Sequence, residues 1–282
     1  MTDTLSRIPT DVTEQTLRTL EGCDDPRLRD VLRAFVKHAH AFVREVRLTP
    51  QEWLAGIDFL TRTGQKCDAL RQEFILLSDV AGVSMTVDDV AHADVPANAT
   101  ESSALGPFYT GDAPEISHGE TIARGGKGEP VLVVGRVLDV RGTPIAGALF
   151  ETWETDGDGY YDTQYANRGE PDYRGNLRTK EDGSFSFRAI RPVSYSIPTD
   201  GPVGELLRVL RRSTMRPAHL HVKIEANGFR TLATSLYTAH DPYLETDAVF
   251  GAKSSLVEAY RPAPHEAGVR WVLERDFVLA DL

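Results

Sequence analysis

Two cysteines, Cys23 and Cys67, are all that the 282 residues contain, too few for a disulfide framework or a cysteine-built zinc site. Uninterrupted apolar stretches long enough to cross a bilayer are missing. The opening segment MTDTLSRIPTDVTEQ lacks the basic start and apolar core of a secretion signal. A cytoplasmic protein with reduced thiols is therefore expected. Basic residues are in deficit, leaving a formal net charge of -11. That balance argues against nucleic acid and against anionic lipid surfaces as partners, because both need a basic face. Repeats and low-complexity tracts are also lacking. With 41% hydrophobic and 26% charged residues, the composition is that of a globular chain with one large or two modest cores.

The first hundred residues carry helical periodicity. From Pro26 to Val46, the residues Leu28, Val31, Leu32, Phe35, Val36, Ala39, Phe42, Val43 and Val46 recur at helical spacing. Trp53, Leu54, Ile57 and Leu60 repeat the pattern up to about Gly64. A third helix is predicted from Lys66 to Val80, with Leu70, Phe74, Ile75 and Leu77 inward, and a shorter one from Thr86 to His92. Helices this apolar on one side must pack on each other, on the second half or on a partner. After a Gly- and Pro-rich stretch between Pro107 and Pro130, the pattern turns to strands. Val131–Val134 opens one, Arg141–Pro144 makes a turn, and Ala148–Trp153 follows. Thr179–Phe187 reads as a hairpin turning at Asp182-Gly183. Further strands are predicted near 218–224, 231–237 and 270–277. The expectation is an α+β protein: a helical domain over residues 1–100, then an antiparallel β-sandwich over 101–282.

Chemistry concentrates in Arg216-Pro217-Ala218-His219-Leu220-His221. Residues two apart on a strand share a face, so His219 and His221 can reach one metal ion. His38 and His40 share the spacing but sit in a helical pattern, where they diverge. Alone, the strand pair does not decide for a metal. His240, beyond a strand, and His265, in a Pro-rich loop, add no ligand at useful spacing. Asp156 and Asp158 hint at calcium, but the twelve-residue loop is absent and a turn explains them better.

Two aromatic segments complete a pattern: Glu151–Asp162, with Gly159-Tyr160-Tyr161, and Ile190–Pro198, with Tyr195. With Leu105-Gly106-Pro107-Phe108-Tyr109, Asp200–Gly204, the Arg-Pro-Ala-His-Leu-His strand and Gly228-Phe229-Arg230, the chain resembles the intradiol ring-cleaving dioxygenases. The likeness runs from about Gln72 to about Val257. It implies one non-haem Fe(III) per chain, held by Tyr161, Tyr195, His219 and His221. Phenolate oxygens are hard, anionic donors that favour the ferric state. A ferric centre has little affinity for O2, so the resemblance implies that the aromatic diol is activated instead, with Tyr195 leaving the metal to take up a proton. Arg216 corresponds to the family arginine that stabilises developing negative charge. Tyr160 should face away from Tyr161, and Tyr165, Tyr173, Tyr237 and Tyr243 read as packing residues.

Within that family the chain is most similar to the hydroxyquinol 1,2-dioxygenases, in Gln72–Asp79, Gln164-Tyr165-Ala166 and Tyr195–Pro202. The resemblance implies a substrate pocket of Leu76, Asp79, Ala104, Leu105, Gly106, Pro107, Phe108, Ile197, Pro198 and Val249. It implies cleavage of hydroxyquinol (benzene-1,2,4-triol) with O2 to 3-hydroxy-cis,cis-muconate. Asp79 would accept a hydrogen bond from the third hydroxyl, which catechol lacks; its plainer reading is a surface residue ending a helix. Ser235 stands where catechol enzymes usually carry glutamine, and Ala104 is smaller than its usual counterpart, so catechol and chlorocatechols stay open as substrates. The resemblance also implies a homodimer formed through the N-terminal helices around an apolar channel able to hold a lipid. Two rivals remain at this point: a non-catalytic β-sandwich binding module and a zinc hydrolase using the same His pair.

Overall fold

The computed structural model describes residues 11–68, 71–167, 169–263 and 268–282; Leu70, His265 and the first ten residues lie outside them. By packing the chain forms two compact units, one ending at Arg62 and the other spanning Thr63–Leu282. In the first unit lie α1 (Val12–Thr19), α2 (Pro26–Glu45) and most of α3 (Pro50–Gln65). The α2 helix begins as its sequence dictates. The Asp25 side chain accepts the backbone N–H groups of Arg27 and Leu28, and Pro26 occupies the first turn, where its missing N–H costs nothing. Its apolar stripe stays uncovered: Leu28, Val31, Phe35, Phe42, Val43 and Val46 are all exposed, and no residue of α2 is buried.

Among its described residues the second unit holds α4 (Glu73–Val80) and α5 (Val83–Ala91), then the strands β1 (Pro130–Asp139), β2 (Leu149–Trp153), β3 (Arg174–Arg178), β4 (Ser184–Ile190), β5 (Tyr195–Ser196), β6 (Met215–Arg216), β7 (His219–Glu225), β8 (Leu232–Thr238), β9 (Val257–Glu258), β10 (Arg261–Pro262), β11 (Trp271–Glu274) and β12 (Phe277–Leu279). One sheet runs β10-β11-β1-β12 with β4 also on β1; the other runs β3-β2-β7-β8-β9; β5 and β6 form a small ribbon. The expected order, helices and then mostly antiparallel sheets, is what the structure has, with two differences in detail. Pairing is mostly antiparallel, but β11 and β12 lie parallel to β1, and β9 parallel to β8. The hairpin expected over Thr179–Phe187 is a corner between sheets: the turn closes (Lys180 N–H to Ser184 O, 3.0 Å), but β3 pairs with β2 and β4 with β1. The corner lets Leu177 and the Phe185/Phe187 pair enter one core from opposite layers. At its centre Phe150 stacks on Phe185 (4.3 Å) and meets Phe277 edge-on (5.6 Å), a geometry that adds to simple burial.

The helix predicted from Lys66 starts only at Glu73. Arg71 folds back instead, bonding the fully buried Glu73 (2.8 Å) and Asp200 (2.6 Å). Glu73 also accepts the N–H of Val203 at the start of α6 (Pro202–Leu210). The sequence reading passed over α6, although Pro202 in the first turn and the Val203/Leu207 spacing signal it.

Candidate metal centre

The β2 and β7 strands lie side by side, which sets Trp153 beside His221 in register; the two rings stack at 4.8 Å and 6°. Strand alternation turns His219 and His221 to one face, and both are almost fully buried. The Nδ1 of His219 lies 2.6 Å from the Pro217 carbonyl oxygen. A carbonyl only accepts, so that nitrogen carries the proton and Nε2 keeps its lone pair. The Nδ1 of His221 is met by Ser235 Oγ at 3.0 Å, so the serine that stands where catechol enzymes usually carry glutamine does supply a polar contact.

The tyrosines arrive on turns. Beyond β2, Asp156 accepts the N–H groups of Asp158 (3.0 Å) and Tyr160 (3.2 Å), the turn that the Asp pair predicts. Gly159 takes φ +84°, and a Cβ there would fall 3.2 Å from Tyr195 Cβ. Glycine thus serves both the turn and the close approach. Tyr161 is fully buried while Tyr160 is half exposed. Tyr195 enters from β5, paired with Arg216 on β6.

The four side chains converge. Tyr161 Oη lies 3.2 Å from Tyr195 Oη and 3.1 Å from His221 Nε2, which is 3.1 Å from His219 Nε2. Such separations are what donors adopt when they share one ion at about 2 Å. Burial holds both imidazoles well below the ordinary histidine range, helped at His221 by His219 and at both by Arg216; they are neutral. Burial and the neighbouring Tyr195 phenol push Tyr161 well above the usual range, so its phenolate form requires a cation. Among the described residues no three His, Cys, Asp or Glu gather as a metal site. The anionic donors here are phenols, which suit a hard ferric ion and not the cysteine or carboxylate sets of zinc.

Around the donors, Phe108 stacks on Tyr161 at 4.1 Å and 17°, and a Cβ on Gly106 would come within 3.4 Å of His221 Cε1. Leu76, Ile197 and Val249 form one buried cluster. Pro107 is exposed, Leu105 marginally so, and Ala104 and Pro198 are half-buried. Asp79 is buried rather than a surface helix end, and burial raises its carboxyl above the usual range. Arg216 is buried too, with Nη1 3.5 Å from Tyr195 Oη.

Sequence reading missed Tyr237, Asp247 and Arg174. Tyr237 is not mere packing: its phenol accepts Arg216 Nη2 at 3.1 Å. Arg174 pairs with Asp162, beside Tyr161, and donates to the Phe108 carbonyl at 3.1 Å. A buried arginine needs a partner, a rule that signals a carboxylate near Arg216 but not which one.

A family model described as dioxygenase matches residues 105–280, and one described as catechol dioxygenase N terminus matches residues 25–99. The chain belongs to the intradiol ring-cleavage dioxygenases. It is similar to hydroxyquinol 1,2-dioxygenase of a Rhizobium species, 44% identical across 95% of this chain and 94% of the relative. The 6-chlorohydroxyquinol 1,2-dioxygenase of Cupriavidus pinatubonensis is 46% identical across 95% and 96%. The crystal structure of hydroxyquinol 1,2-dioxygenase from Pseudomonas putida superposes with TM-score 0.89 at 45% identity, covering 96% of this chain and 98% of that one. This intradiol dioxygenase is thus an enzyme, which removes the binding-module reading, and its family uses non-haem ferric iron.

Proposed function

We propose that this dioxygenase cleaves hydroxyquinol between its adjacent hydroxyl-bearing carbons with O2, giving 3-hydroxy-cis,cis-muconate, at one Fe(III) held by Tyr161, Tyr195, His219 and His221. The observation that carries this is the run of four buried donor atoms spaced 3.1–3.2 Å apart. Bound there, iron would act as template and Lewis acid, drawing electron density from the diol. Tyr195, mounted on the two-residue β5, is assigned to take up a substrate proton, and Arg216, whose Nη1 stands 3.5 Å from its oxygen, to stabilise the negative charge that develops on the diol. Phe108 and Gly106 bound one side of the substrate, and Leu76, Ile197 and Val249 the other. Asp79 receives the third hydroxyl.

The substrate reading draws support from the relatives named for hydroxyquinol and 6-chlorohydroxyquinol, and from Asp79 being a buried acid rather than a solvated one. The uncovered apolar faces of α2 and of α3, where Trp53, Leu54, Ile57 and Leu60 are exposed, support dimerisation through the N-terminal helices and offer apolar surface to a lipid. No helix among the described residues is long and apolar enough to cross a membrane, and we place the enzyme in the cytoplasm. Metal analysis, the visible tyrosinate-to-iron band and oxygen uptake with hydroxyquinol, catechol and chlorocatechols test the reading. About one iron per chain and preferred uptake with hydroxyquinol are expected. Iron-free, colourless protein would end the metal assignment; equal turnover of catechol would end the substrate assignment alone.

A further inference from the structure

Asp247 lies in the loop after β8, outside any strand, yet is 5% exposed. Its Oδ1 accepts Arg216 Nε (3.2 Å) and the backbone N–H of Val249 (3.2 Å). Its Oδ2 accepts the N–H groups of Gly251 (2.9 Å) and Ala252 (3.2 Å) and faces Arg216 Nη2 at 3.5 Å. One carboxylate therefore grips both the guanidinium and the chain segment that carries Val249. That segment is not relaxed backbone: Phe250, between them, adopts φ +60°, a conformation unfavourable for a non-glycine residue that persists only when its surroundings impose it. Tyr237 fixes Nη2 from the far side. The remaining corner of the fork, Nη1, is left facing the donor cluster, 3.2 Å from His219 Nε2. An arginine is a long, rotamer-rich side chain, and a planar guanidinium bound at two of its three corners has its third aimed.

We infer that Asp247 is a positioning residue, which aims Arg216 Nη1 at the reacting diol and locks the Val249 wall of the pocket to the same carboxylate. The inference rests on the proposal that Arg216 meets the substrate. A carboxylate that merely neutralised a buried arginine would not need to organise three backbone N–H groups of the pocket loop. Because the loop and the guanidinium share their anchor, diol binding and charge stabilisation are coupled through it.

The test is a double-mutant cycle in the iron-loaded, full-length enzyme with Asp247→Asn, Arg216→Gln and the pair. Two quantities are read: kcat/KM for hydroxyquinol, and the anaerobic affinity for hydroxyquinol from the change in the visible band. Asp247→Asn alone should lower kcat/KM about 10- to 100-fold, the range seen when a partner that orients a functional side chain is removed, and weaken anaerobic binding. In the Arg216→Gln background its effect on kcat/KM should shrink at least about 5-fold, because the share acting through the guanidinium is gone and only the share acting through the Val249 wall remains. Equal effects in both backgrounds would show that Asp247 acts apart from Arg216 and overturn the inference, as would unchanged constants in Asp247→Asn. Asp247→Glu keeps the charge but displaces the oxygens; it is read in the same cycle if the asparagine variant does not fold. Unchanged constants in Arg216→Gln would instead overturn the role given to Arg216 itself.

Discussion

Tyr161 Oη and His221 Nε2 stand 3.1 Å apart although 60 positions separate the residues in the chain. The contact is made across the β2–β7 pairing, where Trp153 lies opposite His221 and the chain beyond it turns at Gly159 to bring the phenol back. With both atoms buried, removing either partner leaves a polar group without its counterpart. Tyr161→Phe and His221→Ala are each expected to abolish iron binding. Iron content per chain and loss of the visible band measure this; an iron-replete Tyr161→Phe enzyme would contradict the ligand set.

Asp79 governs the choice of diol in this reading. Asp79→Ala should cut kcat/KM for hydroxyquinol by about 10- to 100-fold while changing that for catechol by less than about 3-fold, because catechol lacks the hydroxyl that the carboxyl receives. Parallel losses on both substrates, measured by oxygen uptake, would assign Asp79 to pocket structure instead.

Ser235 orients His221 through Nδ1. Removing a partner of this kind usually weakens metal binding by about 10- to 100-fold. Ser235→Ala is therefore expected to lose iron to a chelator correspondingly faster at neutral pH while folding normally by circular dichroism. Chelation kinetics equal to those of the parent enzyme would remove the serine from the centre.

Acid should loosen the Asp200 cluster. Hydrogen bonds from Arg71 and Lys66 hold its carboxyl down at about 2, against 3.8 for the free group. A depressed folded-state value means that the stabilisation is present above the unfolded value and is lost as pH falls from 3.8 towards 2. Asp200→Asn should make the denaturant midpoint less sensitive to pH between about 5 and 3, a small effect because the side chain is 65% exposed. An unchanged pH slope would show that the pairs contribute nothing.

Much of this molecule was legible in its sequence where local rules and packing agree. The α2 helix starts at Pro26 because Asp25 caps it, and the His-x-His strand faces its imidazoles one way because strands alternate. Where long-range contacts decide, the signal was weaker. Residues 66–72 have helical composition, but Arg71 is claimed by Glu73 and Asp200, so α4 starts late. The Asp182-Gly183 turn looks like any hairpin turn, and only the core tells that its two arms serve different sheets. Family likeness supplied the donor set; it could not supply Asp247 or Arg174, whose partners lie 31 and 12 positions away along the chain.

The two imidazoles ride on a strand clamped by neighbours on both sides, whereas the phenols ride on a turn and on a two-residue ribbon. The centre is therefore unequally mounted, half chassis and half hinge. Movement of a tyrosine can make room at the metal without deforming the sheet, and loss of the ion should show first as faster amide exchange around residues 159–165 and 194–197, with the histidine strand last to notice.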